Sequence, residues 1–169
     1  MNTSERRERI LEYLRASEQP QSATALARRL SVSRQIIVGD VALLRAAGER
    51  ITATPRGYVL ERPQAGQDYT VACVHSSEDM ERELALMVDQ GCTVKNVIVE
   101  HPVYGQLTGP LELSSRYDIS EFIRKVEENA AQPLSVLTDG IHLHTLRCPD
   151  QETFDRTVAA LKTAGFLAR

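Results

Sequence analysis

His142 and His144 stand one residue apart, and the chain has only two other histidines, His75 and His101. A strand sends alternate side chains to opposite faces, so residues i and i+2 share a face about 7 Å apart. On a strand, both imidazoles would point the same way, and neutral imidazole is the commonest metal ligand. The competing reading of an isolated H-x-H is a pair of surface histidines on an edge strand. His75 and His101 lie far upstream, each at the end of a β-branched run. Glu83 follows His75 within a helical pattern that can fold it back over the strand end. His75, Glu83, His142 and His144 then offer three nitrogens and one oxygen. That set suits zinc, nickel, iron or cobalt rather than magnesium or calcium, which want oxygen.

The elements that must position these residues alternate along the second half of the chain. YTVACVHS (69–76) reads as a strand and SEDMERELALMVDQG (77–91) as a helix capped by Ser77. TVKNVIVEH (93–101) is a second strand stopped by Pro102, and YGQLTGPLEL (104–113) a returning one, irregular around Gly109-Pro110. SSRYDISEFIRKVEENA (114–130) carries Ile119, Phe122, Ile123 and Val126 on one stripe and reads as a helix. Asp139-Gly140 is a turn signal before the strand IHLHTLRC (141–148), and a last helix carries Phe154, Val158, Leu161 and Phe166. The order βαββαβα predicts an α+β sandwich, a mostly antiparallel sheet with helices on one face. Cys73, Cys92 and Cys148 form no C-x-x-C and read as reduced core residues, with one of them serving as a soft ligand as the alternative.

The first 60 residues have a different character. They hold ten arginines and no lysine against six acidic residues, whereas residues 61–169 hold ten basic and seventeen acidic residues. An arginine-rich unit joined to an acidic remainder implies that one part meets a polyanion and the other receives something else. SERRERILEYLRA (4–16) is an amphipathic helix. Ser22 can cap the short helix ATALARRL, and Ser33 the longer RQIIVGDVALLRAAG. Short helix, tight turn and longer helix make a helix-turn-helix, and ITATPRGYVL after it makes a hairpin wing with Arg56 at its tip. The expected organisation is a winged helix-turn-helix over 1–60, a linker over 61–68 and a second domain over 69–169.

The residues opening the second helix of such a motif face the major groove. Arg34 suits guanine, Gln35 adenine and Val38 a thymine methyl, while Ser33, Arg45 and Arg56 are placed for phosphates. Gly39 occupies an exposed position where a long polar side chain is expected. The alternative for this unit is a helical protein-interaction domain whose arginines are solvated. No apolar run approaches the length of a membrane helix, and MNTSERRERILEYL lacks a signal core, which predicts a cytoplasmic protein without membrane partners. The sequence has no G-x-G-x-x-G, P-loop or H-E-x-x-H, which argues against an enzyme.

Taken together, LARRLSVSRQIIVGDVALLRAAG, VHSSEDMERELALMVDQG, VIVEHPVYGQLTGPLEL and DGIHLHTLRCPD resemble the niacin-responsive repressors that join a winged helix-turn-helix to a 3H (three-histidine) domain. The resemblance spans essentially the whole chain. It implies a homodimeric repressor of genes for NAD synthesis or niacin uptake, binding double-stranded operator DNA with nicotinic acid as co-repressor. It also implies a divalent metal, nickel or zinc, with His75, Glu83, His142 and His144 matching the family's ligand pattern. His101 matches the remaining motif histidine. Two roles stand open for it, lining the effector pocket with Tyr104 or holding its loop by hydrogen bonds. The rival function is a metalloregulator in which the metal itself is the signal.

Overall fold

The computed structural model describes residues 2–62 and 64–169, which divide into two compact units, Met1–Pro63 and Gln64–Arg169. In the first unit α1 (Thr3–Ala16), α2 (Ala23–Leu30) and α3 (Arg34–Ala46) precede a hairpin of β1 (Ile51–Thr54) and β2 (Gly57–Leu60). Asn2 and Glu5 cap α1 reciprocally, satisfying two of the backbone donors that a helix start leaves without partners. The α2–α3 turn is compact because Ser31 takes a left-handed conformation (φ 53°) and Ser33 then caps α3 by accepting from the Ile36 amide. Ile10, Leu14, Leu26, Ile37 and Val41 are buried in one core, with Tyr13, Val38, Tyr58 and Leu60 packed against it. The hairpin is docked through Gln21 and Tyr58, which exchange backbone hydrogen bonds of 2.9 Å. Gly57 makes that close approach possible, since a Cβ there would lie 2.6 Å from the Gln21 carbonyl.

In the second unit β3 (Gln67–Val74) leads through a 3-10 turn (Ser77–Asp79) into α4 (Met80–Asp89). There follow β4 (Thr93–His101), β5 (Gly105–Leu113), α5 (Arg116–Glu128), a second 3-10 turn (Leu134–Thr138), β6 (Ile141–Cys148) and α6 (Gln151–Ala164). The order across the sheet is β3-β6-β4-β5, with every pairing antiparallel. Along β6 the residues His142, His144, Leu146 and Cys148 are buried and alternate with more exposed ones. Leu84, Met87, Val94, Leu113, Ile119, Leu146 and Leu161 fill the core between this face and the helices. An α+β fold results, as the alternating pattern predicts.

The elements begin and end differently from the sequence expectation in a few places that matter. β3 starts at Gln67 and ends at Val74, so part of the expected linker is strand and His75 lies just beyond the strand. Residues 77–79 form a 3-10 turn where the expected helix begins, and Glu83 consequently falls in the first turn of α4. The irregularity expected near Gly109-Pro110 falls just after it, where Asn96 pairs with Pro110 but Val94 with Leu113, so β5 carries an extra residue, and Glu112 there is left-handed (φ 51°). No helix among the described residues is long and apolar enough to cross a membrane.

Candidate metal centre and nucleic-acid interface

Cys73 and His142 face each other across the β3–β6 ladder, with Val71 and His144 forming the next buried pair on the same face. Glu83 enters from α4 and is 1% exposed, too buried for a carboxylate unless it is paired. Its oxygens lie 2.7 Å from His75 Nε2, 3.0 Å from His142 Nε2 and 3.3 Å from His144 Nε2. The structure thus brings together His75, Glu83, His142 and His144.

The opposite edge of each ring explains the arrangement. Nδ1 of His75 lies 2.7 Å from the Ser76 carbonyl, Nδ1 of His142 2.8 Å from that of Gly140, and Nδ1 of His144 2.7 Å from that of Asn96. A carbonyl accepts only, so each Nδ1 must carry the proton and donate it. In a neutral ring this leaves Nε2 as a lone pair directed at the Glu83 carboxylate, which is the tautomer that binds metal. Three lone pairs and a carboxylate converging in a buried space need a cation among them, either protons on the rings or a metal. His75 Nε2 makes the need explicit, because it is buried and near the carboxylate, yet has no well-formed hydrogen bond among the described residues. The residues present therefore fit a transition metal.

The charges respond as this geometry requires. Burial alone would raise the Glu83 carboxyl, but the imidazoles of His142, His144 and His75 set against it outweigh burial and hold it well below the usual carboxylate range. Burial favours the neutral ring of His75, yet the Glu83 carboxylate and the Ser76 carbonyl prevail and raise it.

Two positioning residues escape a reading of the sequence. Gly140, legible only as a turn signal, has φ +90°, and a Cβ there would lie 2.5 Å from the His75 carbonyl oxygen. Its own carbonyl orients His142. Asn96, at the register shift of β4, orients His144. Cys73 also lies in the cluster, with its sulfur, a Glu83 oxygen and a His142 nitrogen all within 4.8 Å of one another.

His101 and Tyr104 are paired with each other at the β4–β5 turn, their ring centroids 5.0 Å apart. His101 Nδ1 accepts from the amides of Val103 (3.1 Å) and Tyr104 (3.2 Å), which is the geometry of a loop holder. That leaves Nε2 as a donor, beside a Tyr104 that is 76% exposed.

On α3, Ser33, Arg34, Gln35 and Arg45 are exposed. Val38 is half-buried against the helical core, which leaves less of it for a base than its position one turn after Arg34 suggests. Arg56 sits in the hairpin turn, partly buried, with its amide donating to Thr54 Oγ1. Gly39 is exposed, and a Cβ there would meet nothing within 4 Å. Asp40, on the same helix, is 3% exposed and takes hydrogen bonds from Arg6 and Arg7 of α1. Two of the N-terminal arginines are thereby committed to holding α1 against α3.

A helix-turn-helix with a docked hairpin, carried on the same chain as a ligand-ready histidine cluster, defines a DNA-binding regulator. Residues 6–59 match the HTH domain and residues 68–169 the 3H domain. The chain is 44% identical over 168 residues to the transcription repressor NadR of Bacillus subtilis (strain 168), covering 97% of this chain and 93% of that protein. It is also 44% identical over 163 residues to the probable transcription repressor NiaR of Thermotoga maritima, covering 96% and 93%. This chain belongs to the family of transcription repressors that join an HTH domain to a 3H domain. The relatives are named as repressors, not as enzymes.

Proposed function

We propose that the protein is a repressor of genes for NAD synthesis or niacin uptake, with nicotinic acid as co-repressor. It would bind operator DNA as a homodimer and hold a divalent transition metal, nickel or zinc, between His75, Glu83, His142 and His144. The single observation that carries the sensing half is the convergence of three Nε2 atoms on Glu83, at 2.7, 3.0 and 3.3 Å, with all three Nδ1 atoms taken up by backbone carbonyls. Such outer hydrogen bonds fix the tautomer and the ring direction before the metal arrives. A dimer is expected because one small helix-turn-helix reads few bases, and two heads joined in one molecule gain affinity from a two-fold operator.

The effector reading draws on His101 and Tyr104. Ile98 of β4 pairs with Leu143, so His101 three residues on lies towards the end of the sheet where His142 sits. An aromatic carboxylate would find a ring N–H on His101 and an exposed ring on Tyr104. The rival, in which the metal itself is the signal, is favoured by burial. Glu83, His142 and His144 are 1%, 3% and 2% exposed, which leaves little approach for an effector at the metal.

One experiment tests both readings: operator affinity of metal-loaded and metal-free protein, each with and without nicotinic acid. Tightening by nicotinic acid only in the metal-loaded protein supports the proposal. Full affinity on metal loading alone, unchanged by nicotinic acid, would replace it with the metalloregulator.

A further inference from the structure

Three buried cysteines could take part in chemistry, and they are placed differently. Cys92 contacts both Cys148 and Thr157 in the core, the two sulfurs 2.7 Å apart. Cys73 lies directly opposite His142 across the β3–β6 ladder, is completely buried, and points into the histidine cluster. Its sulfur shares a space with a Glu83 oxygen and a His142 nitrogen, each within 4.8 Å of the others. Metal–sulfur and metal–nitrogen bonds of about 2.3 and 2.0 Å span separations of that order once the side chains close slightly on an ion.

We propose that Cys73 is a further ligand of the metal, bound as thiolate, so that the centre combines imidazole, carboxylate and sulfur. The inference rests on the metal-binding reading above and makes it more specific. A second observation concerns the same carboxylate. The His75 side chain is 4% exposed, and its Nε2 has no well-formed hydrogen bond among the described residues, so a cation is called for on the side facing the Glu83 carboxylate. As the metal–sulfur bond forms, the thiol proton leaves to solvent. A thiolate tilts the site towards zinc, cobalt and nickel and away from manganese and magnesium, for which a histidine-and-carboxylate site discriminates less.

Cobalt(II) added to the metal-free full-length protein is the probe, because a thiolate bound to cobalt gives an intense near-ultraviolet charge-transfer band that nitrogen and oxygen ligands do not. The expected result is that band in the natural protein, with weaker visible bands from the ion. Cys73→Ser should keep the visible bands and lose the charge-transfer band, while Cys92→Ser and Cys148→Ser keep both. The natural-protein spectrum is informative even if a variant fails to fold. Visible bands without a charge-transfer band would overturn the Cys73 assignment and leave the histidine–glutamate site standing. A charge-transfer band that survives Cys73→Ser would also overturn it, since the sulfur would come from elsewhere. If the natural protein bound no cobalt and likewise no zinc or nickel, the metal-binding reading itself would fall.

Discussion

The backbone carbonyl of Asn96 holds His144 by its Nδ1 at 2.7 Å, and it is available because the Asn96 side chain has taken over its place in the sheet. Thr145 lies opposite Asn96 across the β4–β6 ladder, and its amide donates to Asn96 Oδ1 at 3.0 Å. The register shift just before Asn96 gives the room for this exchange. Bulges of this kind are a recurrent device for re-aiming a group next to a site.

Asn96→Ala keeps the backbone carbonyl but leaves the Thr145 amide without its side-chain acceptor, so that amide should turn to the Asn96 carbonyl, draw it away from His144 and weaken the metal site without emptying it. Loss of an outer partner typically costs about 10–100-fold in metal affinity. Competition against a chelator of known affinity measures this. Unchanged metal affinity would show that the Asn96 side chain is not what keeps its carbonyl free for His144.

The double change His142→Ala/His144→Ala removes two of the four proposed nitrogen and oxygen ligands. Metal binding should be abolished and the response to nicotinic acid lost, while non-specific DNA binding persists, because the first unit has its own core. Metal analysis of purified protein and operator titrations check this. A variant that releases its metal yet still tightens on its operator with nicotinic acid would move the effector site wholly to the neighbourhood of His101 and Tyr104.

On the recognition helix, substitutions at two positions should act in opposite directions. Arg34→Ala should cost about 1–3 kcal/mol of operator binding and relax discrimination at one base pair. Gly39 is exposed with open space around it, so Gly39→Ala should stabilise α3 by about 1 kcal/mol. Gly39→Lys should add affinity for all sequences and steepen the salt dependence. Operator and random-sequence titrations at several salt concentrations separate these outcomes.

The stability of the second unit should depend on pH in a way that metal reverses. His75 is raised in the folded, metal-free protein, so its contribution is complete below the ordinary imidazole value of about 6.5 and disappears as pH rises through its raised value. Glu83 is held far down, so its contribution is present above the ordinary carboxyl value of about 4.3 and persists well below it. Metal-free protein should accordingly be more stable near pH 5.5 than near pH 8.5. In the metal-loaded protein protons compete with the ion for the imidazoles, and the order should invert. Thermal unfolding of the second unit at both pH values, with and without chelator, checks the sign.

Some of this was readable from residues alone and some was not. The helix periodicities, the serine caps and the i, i+2 histidines are local signals, and they account for the elements and for two imidazoles sharing a face. The bulge at Asn96 depends on which strand lies beside β4, which no local pattern states. Gly140 carries a turn signature, but its closeness to the His75 carbonyl comes from β3 and β6 being neighbours. Asp40 looks like an ordinary exposed acid on a polar helix face, and only the packing of α1 makes it the buried partner of Arg6 and Arg7. Cys73 was legible as a buried residue because it sits in an apolar run. Its company was not, because Glu83 and His142 reach it from other elements.

The strand order has a consequence for biosynthesis. β6 is the last strand to leave the ribosome, yet it is inserted between β3 and β4, which are made well before it. Until it arrives, His75 and Glu83 face a gap in the middle of the sheet, and the nascent chain can offer only a partial and weak site. On the proposed ligand set, complete ligation would report that the second unit has been made through to His144. On that reading, topology alone would disfavour premature capture of metal by an unfinished chain. The price is kinetic, because a central strand that pairs so late leaves two apolar edges open during synthesis.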